Sequence, residues 1–201
     1  MTLQTGRSNR FLLPLFLRVE GKSVVVVGGG AVASGKVQGL VLAGARVTVV
    51  APVVRQEIRA TRVSVIERVF RPSDLDEAWL AVAAGPREVN REVAAAAEER
   101  RVFVNAVDDP DNGNAYTGGV LRRGGVTIAV ATEGRAPALA GLLREALESI
   151  VPEEIEVWVE TAAALRREQR ETGVAVGERR PLLLRALNRL YEAKGVQVSQ
   201  P

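Results

Sequence analysis

The chain is 201 residues long, 47% hydrophobic and 25% charged, values of a globular protein with one main domain and a smaller extension, not of a disordered or membrane chain. It has no cysteine and no histidine, which excludes disulfides, thiolate and imidazole metal sites, and Ser-His-Asp or Cys-His nucleophiles; acid–base chemistry falls to Asp, Glu, Lys or Tyr. Lys and Arg number 27 against 24 Asp and Glu, and with only 4% aromatic residues this arginine-rich excess suits an anionic small molecule, not nucleic acid.

Near the start, Phe11 to Leu17 ("FLLPLFL") is far short of the roughly 20 apolar residues that span a bilayer. No membrane association is expected, and the missing cysteine and signal segment favour the cytoplasm. Ser23 to Val27 then reads as a strand, Ala31 to Ala43 as a helix carrying Val32, Val37, Leu40 and Val41 and stopped by Gly44, and Arg46 to Val50 as a second strand. Val63 to Val69, Trp79 to Ala84 and Arg101 to Ala106 read as further strands, with a short helix at Asp74 to Ala78 and a longer one at Glu88 to Arg100. Apolar runs of strand length alternating with helical segments predict an α/β fold, a doubly wound parallel sheet. After the turn-rich "DDPDNGN", Gly119 to Leu121 and Val126 to Thr132 flank "RRGG" as a hairpin, and Pro137 opens a helix with Leu139, Leu142, Leu143, Ala146 and Ile150 on one side. Helices at Glu153 to Thr172 and Pro181 to Lys194, separated by "GVAVGERR", complete a small helical region. The expected divisions are 1–117, 118–150 and 151–201.

Between the first strand and first helix, "VVVVGGGAVASGK" places Gly28, Gly30 and Ala33 on the G-x-G-x-x-G/A pattern of a dinucleotide loop. The first glycine allows the tight turn, the second lets the backbone approach a pyrophosphate, and a small third residue lets helix and strand lie close. Gly29 and the free N–H groups at the helix start complete the cradle. A strand-to-helix turn without ligand is the plain alternative. The second strand ends "VTVVAPVV" with no acidic residue to hold the ribose, which leaves open NADP read by an arginine, or a ribose held by backbone and apolar contacts at Ala51 to Val53. A Walker A loop is excluded because "SGKV" lacks its spacing and the hydroxyl after Lys36.

Ligands of open parallel sheets bind beyond the carboxyl ends of the strands. There the fifth strand runs into "VNAVDDPDNGNAY". Asp108 directly follows an apolar run, so the local residues fit equally a partly desolvated carboxyl of raised pKa or a solvated turn, whereas Asp109 and Asp111 read as a solvated turn. No metal site is expected, since the acids lack an EF-hand's ligand pattern.

Taken in order, "LPLFLRVEGK", the glycine loop, "AGARVTVVAP", "WLAVAA", "VNREVAAAAEERRVFVNAVDDP", "VTIAVATEGRAPALAGLLREALESIVP" and the late "GERR" resemble the siroheme synthase amino-terminal module, the precorrin-2 dehydrogenases and their bifunctional ferrochelatase relatives. Each is weak alone; the order is specific. The resemblance implies a Rossmann-like NAD-binding domain, a dimerisation hairpin and helix, a small helical C-terminal domain, a homodimer, and a substrate cleft between domains. It implies NAD-dependent conversion of precorrin-2, a tetrapyrrole with eight carboxylates, to sirohydrochlorin, and in some relatives Fe2+ insertion. By position it makes Asp108 the catalytic residue and puts Ala31, Val32, Pro52 and Val53 at NAD, beside the Gly28, Gly29, Gly30 and Ala33 of the glycine loop; Asn105, Thr132 and Arg135 are the substrate candidates. The chain departs from the family at "AAGPRE", at Tyr116 and Gly118, and at Thr132–Glu133. These departures keep two other readings open, a non-catalytic NAD- or tetrapyrrole-binding regulatory dimer and an NADP-dependent reductase of another substrate.

Overall fold

Four successive valines make β1 (Ser23–Val27) a strand that must be covered on both sides, and every one of the four is buried. Alternation along the strand sends Val25 and Val27 into one apolar layer and Val26 into the other. The computed structural model describes residues 12–192, in two units: one reaches Thr117 and takes in Ala131–Ala136, the other comprises Gly118–Val130 and the chain from Pro137.

In the first unit, β1 is followed by α1 (Ala31–Leu42), β2 (Arg46–Val50), α2 (Gln56–Arg59), β3 (Ser64–Ile66), β4 (Leu80–Ala83), α3 (Arg87–Arg100) and β5 (Phe103–Ala106). The five strands are all parallel in the order β3-β2-β1-β4-β5, the doubly wound sheet that the alternation predicts. Val24 pairs with both Val47 and Leu80, so β1 lies at the centre and the winding direction reverses between it and β4. Ala33 and Val37 of α1, with Ile58 of α2, cover one face beside Val26, Val49 and Val82. Val93, Ala96 and Ala97 of α3 cover the other, with Val25, Ala81 and Val104.

Two expectations about short elements are corrected. The helix expected at Asp74 to Ala78 is a 3-10 turn at Pro72–Leu75. Proline at its first position loses no hydrogen bond, and the Asp74 carboxylate accepts the Arg71 N–H at 2.9 Å while gripped by the Arg68 guanidinium at 2.5 and 2.9 Å. The turn therefore starts earlier and ends once Leu75 is buried. The four-residue α2 was not anticipated; one buried side chain, Ile58, anchors it, and four residues are too few to show a period.

In the second unit, β6 (Gly119–Arg123) and β7 (Val126–Val130) form an antiparallel hairpin. Its two-residue turn is Gly124-Gly125, both at positive φ, as the tightest hairpin turns require. The unit continues with α4 (Pro137–Ile150), α5 (Ile155–Glu171) and α6 (Val176–Glu192). Gly119 passes so close to α4 that a Cβ there would lie 2.8 Å from the Ala140 carbonyl oxygen. The expected separator "GVAVGERR" is corrected: α6 begins at Val176 and runs through Pro181, whose missing N–H removes one rung of the helix. The expected end of that helix, Lys194, lies outside the described residues. Among the described residues, no helix is long and apolar enough to cross a membrane.

Candidate functional site

The carboxyl end of β1 turns into α1 through three glycines that differ in what surrounds them. Gly28 has φ +129 and donates its N–H to the Val50 carbonyl at 3.0 Å; a Cβ would collide with the Ala84 carbonyl group. Gly29 accepts the Arg55 N–H at 3.0 Å, and a Cβ there would run into the Val53 carbonyl oxygen. Both are glycines because neighbouring backbone fills the space. Gly30 is the N-cap of α1, with ordinary φ of −83, no side-chain cap and, its chain neighbours apart, no protein atom within 4 Å of where a Cβ would stand.

The first N–H of α1 to enter the ladder is that of Ser34, on the Gly30 carbonyl at 3.0 Å, so the N–H groups of Ala31, Val32 and Ala33 precede it without a helical acceptor. With no acid in the first turn, the positive end of the helix dipole faces an open backbone. Ala33 is fully buried against the sheet. Together these features fit a dinucleotide pyrophosphate: room at Gly30, donors behind it, and no anion already there. Ala31, Val32, Pro52 and Val53 stand at the ends of β1 and β2, and all four are exposed. The first charged residue after β2, Arg55, is held by Glu57 at 3.0 and 3.2 Å.

Across the switch in winding, Asn90 joins the ends of β4 and β5. Its Oδ1 accepts the Gly85 N–H at 3.0 Å and its Nδ2 donates to the Val107 carbonyl at 3.4 Å, from a side chain only 3% exposed. Above it lies a recess of about 190 Å³ to which Val32 contributes from α1 and Asp108 from the β5 loop. Asp108 has φ +56, in the left-handed region that costs a non-glycine residue energy.

That twist decides between the two readings of Asp108 and corrects the reading of Asp109. Asp108 is exposed, not desolvated, whereas Asp109 is 6% exposed; it accepts a hydrogen bond from Asn112 at 2.8 Å and lies 3.8 Å from Arg87. The left-handed residue turns the chain so that the first carboxylate leaves the strand's apolar path and the second goes under the loop.

Asn105 is buried at the end of β5, donating to the Ala115 carbonyl at 2.9 Å and accepting from the Thr117 hydroxyl at 3.4 Å. The same hydroxyl accepts from Lys36 Nζ at 2.5 Å. Burial holds the Lys36 amine below its usual range, and the negative charge of Asp108 partly opposes this. Thr132 and Arg135 belong to a separate loop: Thr132 accepts the Ala136 N–H at 3.2 Å, and the exposed Arg135 faces Glu133 at 3.8 Å. Neither joins the Asn105 network by a hydrogen bond or ion pair among the described residues. No cluster of three metal-ligating side chains occurs among the described residues.

Sequence reasoning misses Thr117 and Asn90 altogether, and it gives no site role to Lys36, met only in excluding a Walker A loop, or to Asp109, read as a solvated turn. Two of them carried a signal in their spacing. Lys36 adjoins the buried Val37 and follows the buried Ala33 by three, beside the inner stripe of α1; Asn90 shares the inner stripe of α3 with Val93 and Ala97.

A family model described as "Putative NAD(P)-binding" matches residues 15–119. The chain is 38% identical over 181 residues to Siroheme synthase 1 of Aeromonas salmonicida (strain A449), covering 88% of this chain and 39% of that protein. It is 39% identical over 173 residues to Siroheme synthase 3 of Aeromonas hydrophila subsp. hydrophila, covering 84% and 37%. The chain thus spans about two fifths of the length of these curated relatives. Among solved structures, "SirC, precorrin-2 dehydrogenase" superposes with a TM-score of 0.66 at 25% identity, covering 87% of this chain and 88% of that one.

Proposed function

We propose that this chain, which belongs to the family of the siroheme synthase amino-terminal module and carries its NAD(P)-binding domain, is an NAD-dependent precorrin-2 dehydrogenase that forms sirohydrochlorin. The observation that carries the reading is that one recess is lined both by Val32, from the first turn of the open-ended helix, and by Asp108, beyond β5. A dinucleotide seated on the α1 N-terminus and a carboxylate able to take a proton then address the same space.

In this reading Gly30 and the N–H groups of Ala31, Val32 and Ala33 receive the pyrophosphate, and Pro52 and Val53 lie along the adenosine half. When bound, NAD+ supplies the hydride acceptor. Precorrin-2 loses one hydride and one proton, and Asp108 takes the proton before releasing it to water. Asn90 holds the two loops that carry Gly85 and Asp108 at a fixed spacing. NAD is favoured over NADP because Arg55, which a 2′-phosphate would need, is already engaged by Glu57. Asn105, Thr132 and Arg135 remain the candidates for substrate contact, Asn105 through the network beside Asp108.

Two extensions go with this reading. The exposed Leu139, Leu142, Leu143 and Ile150 of α4 support a homodimer in which a second copy covers that stripe; light scattering reads the mass. The siroheme synthase relatives support insertion of substrate Fe2+ into the product, read as siroheme absorbance after Fe2+ is added. The test of the main reading is incubation with NAD+ and enzymatically made precorrin-2: NADH and sirohydrochlorin should appear together, and binding of both ligands without turnover would instead favour a regulatory protein.

A further inference from the structure

Lys36 is a half-buried cation that the reaction outlined above does not use. It lies one helical turn beyond Val32, on the same side of α1, and Val32 lines the recess that holds Asp108. Its ammonium has three donors; Thr117 takes one at 2.5 Å, and no carboxylate lies within ion-pair distance among the described residues. Other cations near the strand ends are engaged differently: Arg55 by Glu57, Arg87 facing Asp109 and Arg135 facing Glu133.

Partial burial of a charge without a direct counter-ion is unfavourable, and the lowered pKa of Lys36 records that cost. The arrangement is nevertheless built, not incidental. Thr117 is itself tied to the buried Asn105, so the ammonium is held in place by a chain of hydrogen bonds rooted in β5. A fixed cation with two donors to spare, within electrostatic reach of the proposed proton acceptor, is what an arriving anion needs.

We propose that Lys36 is a substrate-binding residue whose ammonium, steadied by Thr117, receives one carboxylate of the tetrapyrrole and so sets the macrocycle against Asp108. This rests on the tetrapyrrole reading of the site, and it adds a specificity determinant to it: a macrocycle whose carboxylate at that position is esterified binds weakly.

The experiment compares wild type with Lys36→Met, Lys36→Arg and Thr117→Val. Each is titrated with uroporphyrin, an octacarboxylate that cannot react, and assayed with precorrin-2 and NAD+. Loss of one charge-assisted hydrogen bond should weaken uroporphyrin binding and raise the KM for precorrin-2 about ten- to a hundredfold in Lys36→Met. The change in kcat should be smaller than that in KM, with NAD+ affinity unaltered. Lys36→Arg should recover part of the loss, and Thr117→Val should show a smaller one. Unchanged uroporphyrin affinity and KM in a folded Lys36→Met protein would overturn the proposal, as would a fall in kcat alone, which would assign Lys36 to proton handling. If wild type fails to oxidise precorrin-2 yet Lys36→Met still binds uroporphyrin more weakly, the dehydrogenase reading falls and the Lys36 site stands.

Discussion

Substituting alanine at each of the three loop glycines separates binding from folding. At Gly30 the new Cβ meets no protein atom within 4 Å apart from its chain neighbours and φ is ordinary, so the fold should lose less than about 1 kcal/mol, the cost of a poorer N-cap. That methyl would stand in the space assigned to the pyrophosphate, lengthening its hydrogen bonds to the helix start, and NAD+ affinity should fall about tenfold or more. At Gly28 the Cβ lies 2.7 Å from the Ala84 carbonyl carbon on a backbone with φ +129; at Gly29 it lies 2.9 Å from Val54 Cα and 3.0 Å from the Val53 carbonyl carbon. Neither can be relieved by rotating a side chain, so each should cost about 2–5 kcal/mol and lower Tm by roughly 4–20 °C. Thermal unfolding and calorimetric titration with NAD+ read the two effects independently. The reasoning fails if Gly30→Ala binds NAD+ as tightly as wild type, or if Gly28→Ala and Gly29→Ala unfold at the wild-type temperature.

Asn90→Leu should destabilise the protein by about 1–3 kcal/mol by stranding the Gly85 N–H and the Val107 carbonyl, and should also slow turnover; urea unfolding and kinetics check both. The bidentate hydrogen bond from Arg68 holds Asp74 below its usual pKa, with burial opposing it. Its stabilisation is therefore complete above about pH 4, the unfolded value, and is lost as pH falls through the folded one, so Asp74→Asn should flatten the acid limb of a stability–pH curve. An acid limb as steep in Asp74→Asn as in wild type refutes that assignment.

Where the chain is periodic and apolar, its sequence was readable. Ser23–Val27 and Arg46–Val50 are strands with the bounds their valine runs suggest, and α3 starts one residue earlier than its period indicates. Where geometry depends on distant backbone, it was not. Nothing local to Pro72–Leu75 reveals that Arg68 reaches Asp74, and Pro181 argues for a helix start although the helix begins five residues earlier and runs through it. At the site, the glycine loop was legible because its constraint is steric and lies within a few residues. The exchange of Asp108 and Asp109 was not, because it depends on one left-handed residue that an aspartate adopts only when the surrounding loop, here held by Asn90, Asn105 and Asn114, determines it. Lys36 was set aside with the Walker A loop; its hydrogen bond to Thr117 joins residues 81 positions apart.

The central claim is that Asp108 and the α1 loop act on one substrate. Its most direct measurement is the rate of sirohydrochlorin formation from precorrin-2 and NAD+ by wild type and Asp108→Asn, with NAD+ and uroporphyrin affinities determined on the same preparations. Wild type should produce NADH and sirohydrochlorin in equal amounts, and Asp108→Asn should be slower by about a hundred- to ten-thousandfold with both affinities retained. Undiminished turnover in Asp108→Asn, or no turnover by wild type with both ligands bound, contradicts the account.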